Sequence, residues 1–389
     1  MEKQPPSLRS QIFPLLFLVW IFFLNFLSRI ILSPLMPTIE QEIKIGHGEA
    51  GSLFFLISFG YCLMLFASGF ISQILNHRKI IILSAMTLGM GLLIVGLSRH
   101  LWTIRIGLLW LGMAAGLYLP SGIATITELV DPKDWGKAVA IHELAPNLGF
   151  LAAPLLSEFL LGWASWQRIL MLIGLASLLS GLLFIRFGRG GVSHGTSPNV
   201  GTLQNILRER SFWIMMFFFS LGIGGSFGVF SMLPLYLVSE KGLERVWANT
   251  LVGLSRIPTL GTAILAGWVT DRLGPQKALK MIFMATGVMT ILLGLISGGW
   301  LFLLIFIQPI VASSFFPPGF AGLSRIGEGK FKNLAVAFTV PVGMLIGGGV
   351  IPAGIGLMGE TGFFSLGFIF LGGLFFGGLL LVQHLKFGR

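Results

Sequence analysis

The chain has 389 residues, of which 54% are hydrophobic and 11% charged, and its mean hydropathy is +0.89. A soluble domain carries about 25% charged residues, so 26 basic and 15 acidic side chains cannot solvate a water-soluble enzyme of this length. The single cysteine, Cys62, sits in an apolar run and excludes both a disulfide framework and a cysteine metal site.

Twelve apolar runs are long enough to cross about 30 Å of hydrocarbon, which takes roughly 20 helical residues. They lie near 11–37, 49–75, 80–98, 101–128, 136–160, 167–186, 211–238, 247–270, 278–297, 300–324, 333–357 and 362–384. The short alternating segments of a membrane barrel are absent, so the class is an all-α membrane protein of twelve transmembrane helices. The first run is too long for a signal-peptide core and is expected to be a retained helix.

The loops orient the chain. With the N-terminus inside, eighteen Lys and Arg fall on the cytoplasmic side and five on the other, which predicts both termini cytoplasmic, in a bacterial-type inner membrane. The net charge of +11 is spread over several short segments and forms no single stripe, which argues against nucleic acid and for anionic lipid headgroups. The polar stretch 187–210 reads as a cytoplasmic linker between an N-terminal six-helix bundle, 1–186, and a C-terminal one, 211–389.

Ionisable residues inside a span cost about 2.5–3.5 kcal/mol each on insertion scales, so they are functional candidates by default. In the first run Arg29 shares a helical face with Asn25 and Ser33. In the fifth, Glu143 lies about 12 Å inside, with His142 beside it, Asn147 on its face and Pro146 loosening the backbone. In the eighth, Arg256 lies near the middle, with Asn249 on roughly its own face. Arg29 and Arg256, one from each half, would clamp an anion if both face a central cavity, because each guanidinium presents a planar fork to carboxylate or phosphate oxygens. The competing roles are snorkelling for Arg29 and an ion pair with Glu143 for Arg256. A buried Glu143 carboxylate would bind and release a proton, making Glu143 and His142 the proton-coupling candidates. Adjacent helical residues point about 100° apart, so the two need not act together.

The segment Gly267-x-x-x-Asp271-Arg272-x-Gly274-x-x-Lys277 between the eighth and ninth runs recurs, shifted by 198 residues, around Gly69, Gln73 and Asn76. An offset of half the chain is an internal repeat. This segment resembles the cytoplasmic signature loop of the major facilitator superfamily, and with twelve spans, a central linker and a half-length repeat the resemblance covers the whole chain. It implies two six-helix bundles related by a pseudo-two-fold axis, alternating access, and a gating role for Gly267, Asp271, Arg272, Gly274 and Lys277. Asp271 is expected to accept from helix N-terminal amides, and Arg272 and Lys277 to pair with acidic groups or lipid phosphate. The first copy departs from the pattern at Gln73, Ile74 and Asn76. Arg105 resembles, with altered glycine spacing, the superfamily's helix 4 arginine motif and is a structural or coupling candidate.

An arginine in the first helix followed by Pro37 is similar to organophosphate, sialic-acid and galactonate carriers, and a mid-helix arginine before the gate motif is similar to monocarboxylate carriers. The resulting expectation is a monomeric, proton-coupled secondary transporter of a small organic anion. Ala145-Pro146-Asn147-Leu148-Gly149 half-matches the superfamily's antiporter motif, and that supports the alternative of proton-driven efflux of hydrophobic or cationic compounds. No nucleophile elbow, phosphate-binding Gly-Lys-Ser loop or His-Glu-x-x-His is present, so neither an enzyme nor a cofactor is expected.

Overall fold

The computed structural model describes residues 8–195, 207–326 and 330–385, with side chains described outside 330–334. Part of the expected linker, 196–206, lies outside the described residues. Twelve helices are long and apolar enough to cross a membrane, and the described residues contain no strand. In chain order they are α1 Leu8–Ile43, α2 His47–Ile74, α3 His77–Leu97, α4 Leu101–Leu129, α5 Pro132–Leu161, α6 Trp166–Phe187, α7 Arg210–Ser239, α8 Arg245–Leu273, α9 Pro275–Leu295, α10 Gly299–Leu323, α11 Ala335–Glu360 and α12 Phe364–Val382. A helix satisfies most of its backbone polar groups within itself, which hydrocarbon demands.

Seven of these helices are interrupted, and in five the interruption has a proline behind it. A proline lacks the N–H that would bond the carbonyl four residues earlier. Regular helix stops at Ile30 in α1, Gly116 in α4, His142 in α5, Leu254 in α8 and Ser313 in α10, four residues before Pro34, Pro120, Pro146, Pro258 and Pro317. In α7 and α11 the interruption is a wide turn instead, at Gly224–Gly228 and Ile346–Val350. Arg29 and Arg256 lie within two residues of such a stop, and Glu143 immediately follows one.

The half-length repeat extends into helix packing. A Cβ on Gly89 would strike the Gly174 carbonyl oxygen at 2.6 Å, and one on Gly372 the Gly287 oxygen at 2.7 Å. These are equivalent residues under the offset of 198, and they bring α3 against α6 and α9 against α12. The next pair repeats as well: Gly96 abuts the Gln167 carbonyl and Met171, and Gly294 abuts the Ser365 carbonyl and Ile369. Small residues let helix backbones approach closely where no hydrophobic effect drives them together.

The chain forms two compact units. The first holds the described residues up to Leu32 and those from Phe59 to the linker. The second holds Ser33–Ser58 and the described residues after the linker. Polar contacts hold that early segment within the second unit. Ser33 Oγ donates to the Phe230 carbonyl at 2.7 Å, Asn249 Nδ2 to the Pro34 carbonyl at 3.0 Å, and Arg245 Nη1 to Thr38 Oγ1 at 3.0 Å. The Gly48 amide donates to Glu360 at 2.8 Å, and a side chain at Gly46 would collide with that carboxylate.

Candidate functional site

In the first unit Arg29 is buried, 3% exposed, so it does not snorkel to an interface. Its guanidinium lies 4.3 Å from the Tyr61 ring and 5.0 Å from the Phe26 ring, a cation between two aromatic faces. Among the described residues no acidic side chain pairs with it and its Nε has no hydrogen-bond partner. Asn25, one turn earlier and also buried, donates from Nδ2 to the Ala115 carbonyl of α4 at 3.2 Å and leaves its Oδ1 unpartnered. That bond ties α1 to α4 beside the interruption in α4, so Asn25 has a structural duty as well as a free acceptor.

The α5 interruption separates two neighbours by environment. His142 is fully buried, whereas the Glu143 side chain is 49% exposed. The expectation of a buried Glu143 carboxylate is therefore corrected. With Pro146 unable to bond the His142 carbonyl, α5 breaks at Glu143 and its side chain projects away from the packed face. The Tyr118 hydroxyl donates to the Leu18 carbonyl at 2.7 Å and meets His142 Nε2 at 3.1 Å. Phe22 stacks on the imidazole at 4.3 Å with the planes 3° apart. His142 Nδ1 faces Glu143 Oε1 at 3.4 Å, so the two residues do meet despite their angular separation on the helix. Asn147 turns its Nδ2 back to the Glu143 carbonyl at 3.1 Å, a bond inside its own helix.

In the second unit Arg256 is 2% exposed, just past the point where α8 stops being regular. Its guanidinium lies 4.8 Å from the Phe230 ring, and Nη2 reaches toward the Ser226 carbonyl in the wide turn of α7 at 3.5 Å. Gln308 of α10, also buried, donates to the Gly225 carbonyl of the same turn at 2.9 Å and contacts Thr290 Oγ1 at 3.3 Å. A wide turn leaves carbonyls without helical partners, and Gln308 satisfies one of them.

The α8–α9 loop turns at Gly274, whose φ of 79° favours glycine. Pro275 follows at the first position of α9, where a missing N–H costs nothing. Among the described residues of its own unit Asp271 accepts no hydrogen bond, so the expected contact with helix N-terminal amides is not formed by them, and Arg272 stacks on Trp268 at 4.1 Å. Lys277 is exposed, and nothing lies within 4 Å of a Cβ built on Gly267. In the first copy Asn76 replaces the glycine and accepts from the Lys79 amide at 3.0 Å, capping α3 by another route. Arg105 lies half-buried with its guanidinium 4.8 Å from the Trp102 ring.

Tyr61, Tyr118 and Gln308 were not singled out from the sequence. A signal was present for each. The chain has 35 phenylalanines and only three tyrosines, so a hydroxyl in a span is a marked choice, and Gln308 stands alone in an apolar run.

Twelve helices long and apolar enough to cross a membrane make a multi-pass membrane protein, and the comparisons identify which kind. The family model of the Major Facilitator Superfamily matches residues 18–321. The chain belongs to the Major Facilitator Superfamily, and it is a multi-pass integral membrane protein and a secondary transporter. It is 22% identical over 336 residues to a probable hexose phosphate transport protein of Chlamydia muridarum (strain MoPn / Nigg), covering 76% of this chain and 71% of that one. It is 23% identical over 265 residues to the probable nitrate transporter NarT of Staphylococcus carnosus (strain TM300), covering 68% of each. The fold is similar to that of a bacterial homologue of the human lysosomal transporter Spinster, with a TM-score of 0.81, 15% identity and 97% of each chain covered.

Proposed function

We propose that the protein is a proton-coupled carrier of a small organic anion, a carboxylate or a phosphorylated metabolite. In this reading Arg29 and Arg256 bind the anionic group, Asn25 and Asn147 contribute polar contacts, and Glu143 with His142 handles the proton. The loop Gly267–Lys277 serves the cytoplasmic gate, and Arg105 couples the outer end of α4. The chain works as a monomer in a bacterial-type inner membrane with both termini cytoplasmic, and 187–210 links the bundles 1–186 and 211–389.

The observation that carries this reading is Arg29: a cation buried in the protein within an apolar span, with no acid beside it among the described residues. Such a charge is costly unless a counter-charge arrives, and a planar fork held between two rings is preorganised for carboxylate or phosphate. Two of the relatives are named for the transport of hexose phosphate and nitrate, both anions. An arginine in place of an acid at this depth of α1 speaks against recruiting cationic drugs.

Thermal stabilisation of purified protein by glucose 6-phosphate, inorganic phosphate, nitrate, a monocarboxylate and cationic dyes tests it, since a ligand of the native state raises the melting point by mass action. An anion should stabilise the wild type and fail with Arg29→Gln. Stabilisation by dyes alone, equal in the variant, would reject the anion reading in favour of efflux.

A further inference from the structure

The Tyr118 hydroxyl has one hydrogen, and the Leu18 carbonyl takes it at 2.7 Å. Its oxygen is then an acceptor, and the ring nitrogen facing it at 3.1 Å, His142 Nε2, must carry a hydrogen to bond it. A neutral imidazole has only one N–H, so Nδ1 is left as a bare lone pair. That nitrogen is buried, makes no hydrogen bond among the described residues, and faces Glu143 Oε1 at 3.4 Å. We propose that Tyr118 is a positioning residue that locks His142 in the Nε2–H tautomer, so that His142 and Glu143 form one proton site with a buried and an exposed half.

The exchange balances without another reactant. A protonated Glu143 gives its proton to the Nδ1 lone pair, and a carboxylate facing an imidazolium results; the reverse step restores two neutral groups. The half-exposed carboxyl takes the proton from outside the packed core, and the imidazole holds it within. Phe22, stacked face-on at 4.3 Å, keeps the ring in place from the α1 side and presents its negative face to the imidazolium. The groups around the site are Tyr118 and the Leu18 carbonyl at Nε2, the Phe22 ring, and Glu143 at Nδ1. This deepens the proton-coupling reading above and rests on it for its transport consequence, although the tautomer is a matter of geometry alone.

The experiment is nitrogen NMR of protein labelled with ¹⁵N-histidine, with the His142 signals assigned by their loss in His142→Asn. Expected in the wild type is a single neutral tautomer with Nε2 protonated and Nδ1 bare. Tyr118→Phe, which removes one oxygen, should give a mixture of tautomers and a shifted pH profile of uptake in proteoliposomes. Glu143→Gln, at a half-exposed position, should leave the tautomer and remove the pH-dependent exchange of the Nδ1 signal. A wild-type Nδ1–H tautomer, or an unchanged tautomer and pH profile in Tyr118→Phe, overturns the proposal. A wild type with the expected tautomer whose uptake does not respond to a proton gradient supports the geometry and rejects proton coupling as the protein's function.

Discussion

Arg29 shows what a single side chain can be asked. An arginine held by a buried ion pair costs about 3–5 kcal/mol when removed, because its partner is stranded. Arg29 strands no acid among the described residues, so Arg29→Met without ligand should melt at or above the wild-type temperature and lose all stabilisation by anions. A drop of several degrees in the ligand-free variant would make the residue structural. The sequence marked Arg29 because a charge in an apolar run stands out. It did not mark Tyr61 as a wall, since α1 and α2 must pack before that ring faces the guanidinium, whereas Phe26, three residues earlier on the same helix, was legible as a neighbour. Gly274 and Asn76 make the complementary point. They are equivalent in the repeat, yet one turns the chain with a positive φ and the other caps a helix with its side chain, so the same boundary is reached through different chemistry.

At the scale of the helix, proline position accounts for where regularity ends. Five helices stop four residues before a proline, but Pro37, Pro154, Pro234, Pro309 and Pro341 lie inside helix that continues, so the prolines mark candidate breaks in the sequence and only packing decides which of them form. Pro146→Ala returns an N–H to the His142 carbonyl and should let α5 run straight through Glu143. The expected result is an unchanged or higher melting temperature with reduced uptake; undiminished uptake would show that the break has no part in transport. The glycine contacts give a second prediction. Gly89→Leu and Gly287→Leu place side chains at equivalent helix crossings, and each should destabilise by about 1–3 kcal/mol, the usual cost of overpacking. Thermal melts of the two variants should agree closely, whereas Gly267→Leu, where nothing lies within 4 Å of the built Cβ, should melt like the wild type. The interrupted turns of α7 and α11 have no proline at the corresponding offset, and their glycines, Gly224-Gly225 and Gly347-Gly348-Gly349, were legible only as small residues.

At the scale of the whole molecule the reading turns on two arginines in different units. If they hold one anion, their effects on affinity are coupled, and a double-mutant cycle with Arg29→Gln and Arg256→Gln should give an interaction energy of about 0.5–3 kcal/mol. Additive effects on binding of glucose 6-phosphate or nitrate would show that they act at separate places. The second unit also includes the later part of α1 and the start of α2, held there by Asn249, Arg245 and Glu360. Gly46→Ala would push against the Glu360 carboxylate and should lower the melting temperature more than Gly354→Ala, where a Cβ meets nothing.

Hydropathy determined the class of this protein by itself, twelve spans of an all-α membrane protein, and the resemblance of the 267–277 segment to a known signature loop added the superfamily. Hydrocarbon imposes these features on length and composition, so no tertiary contact is needed to see them. Tertiary structure alone decided how the marked residues are packed. Sequence spacing places Glu143 and His142 about 100° apart on a helix, yet the proline break, the Phe22 stack and the Tyr118 hydroxyl from another helix bring Nδ1 to the carboxylate. Burial, tautomer and the partner of each polar atom are set by side chains distant in sequence, and only packing brings those side chains together.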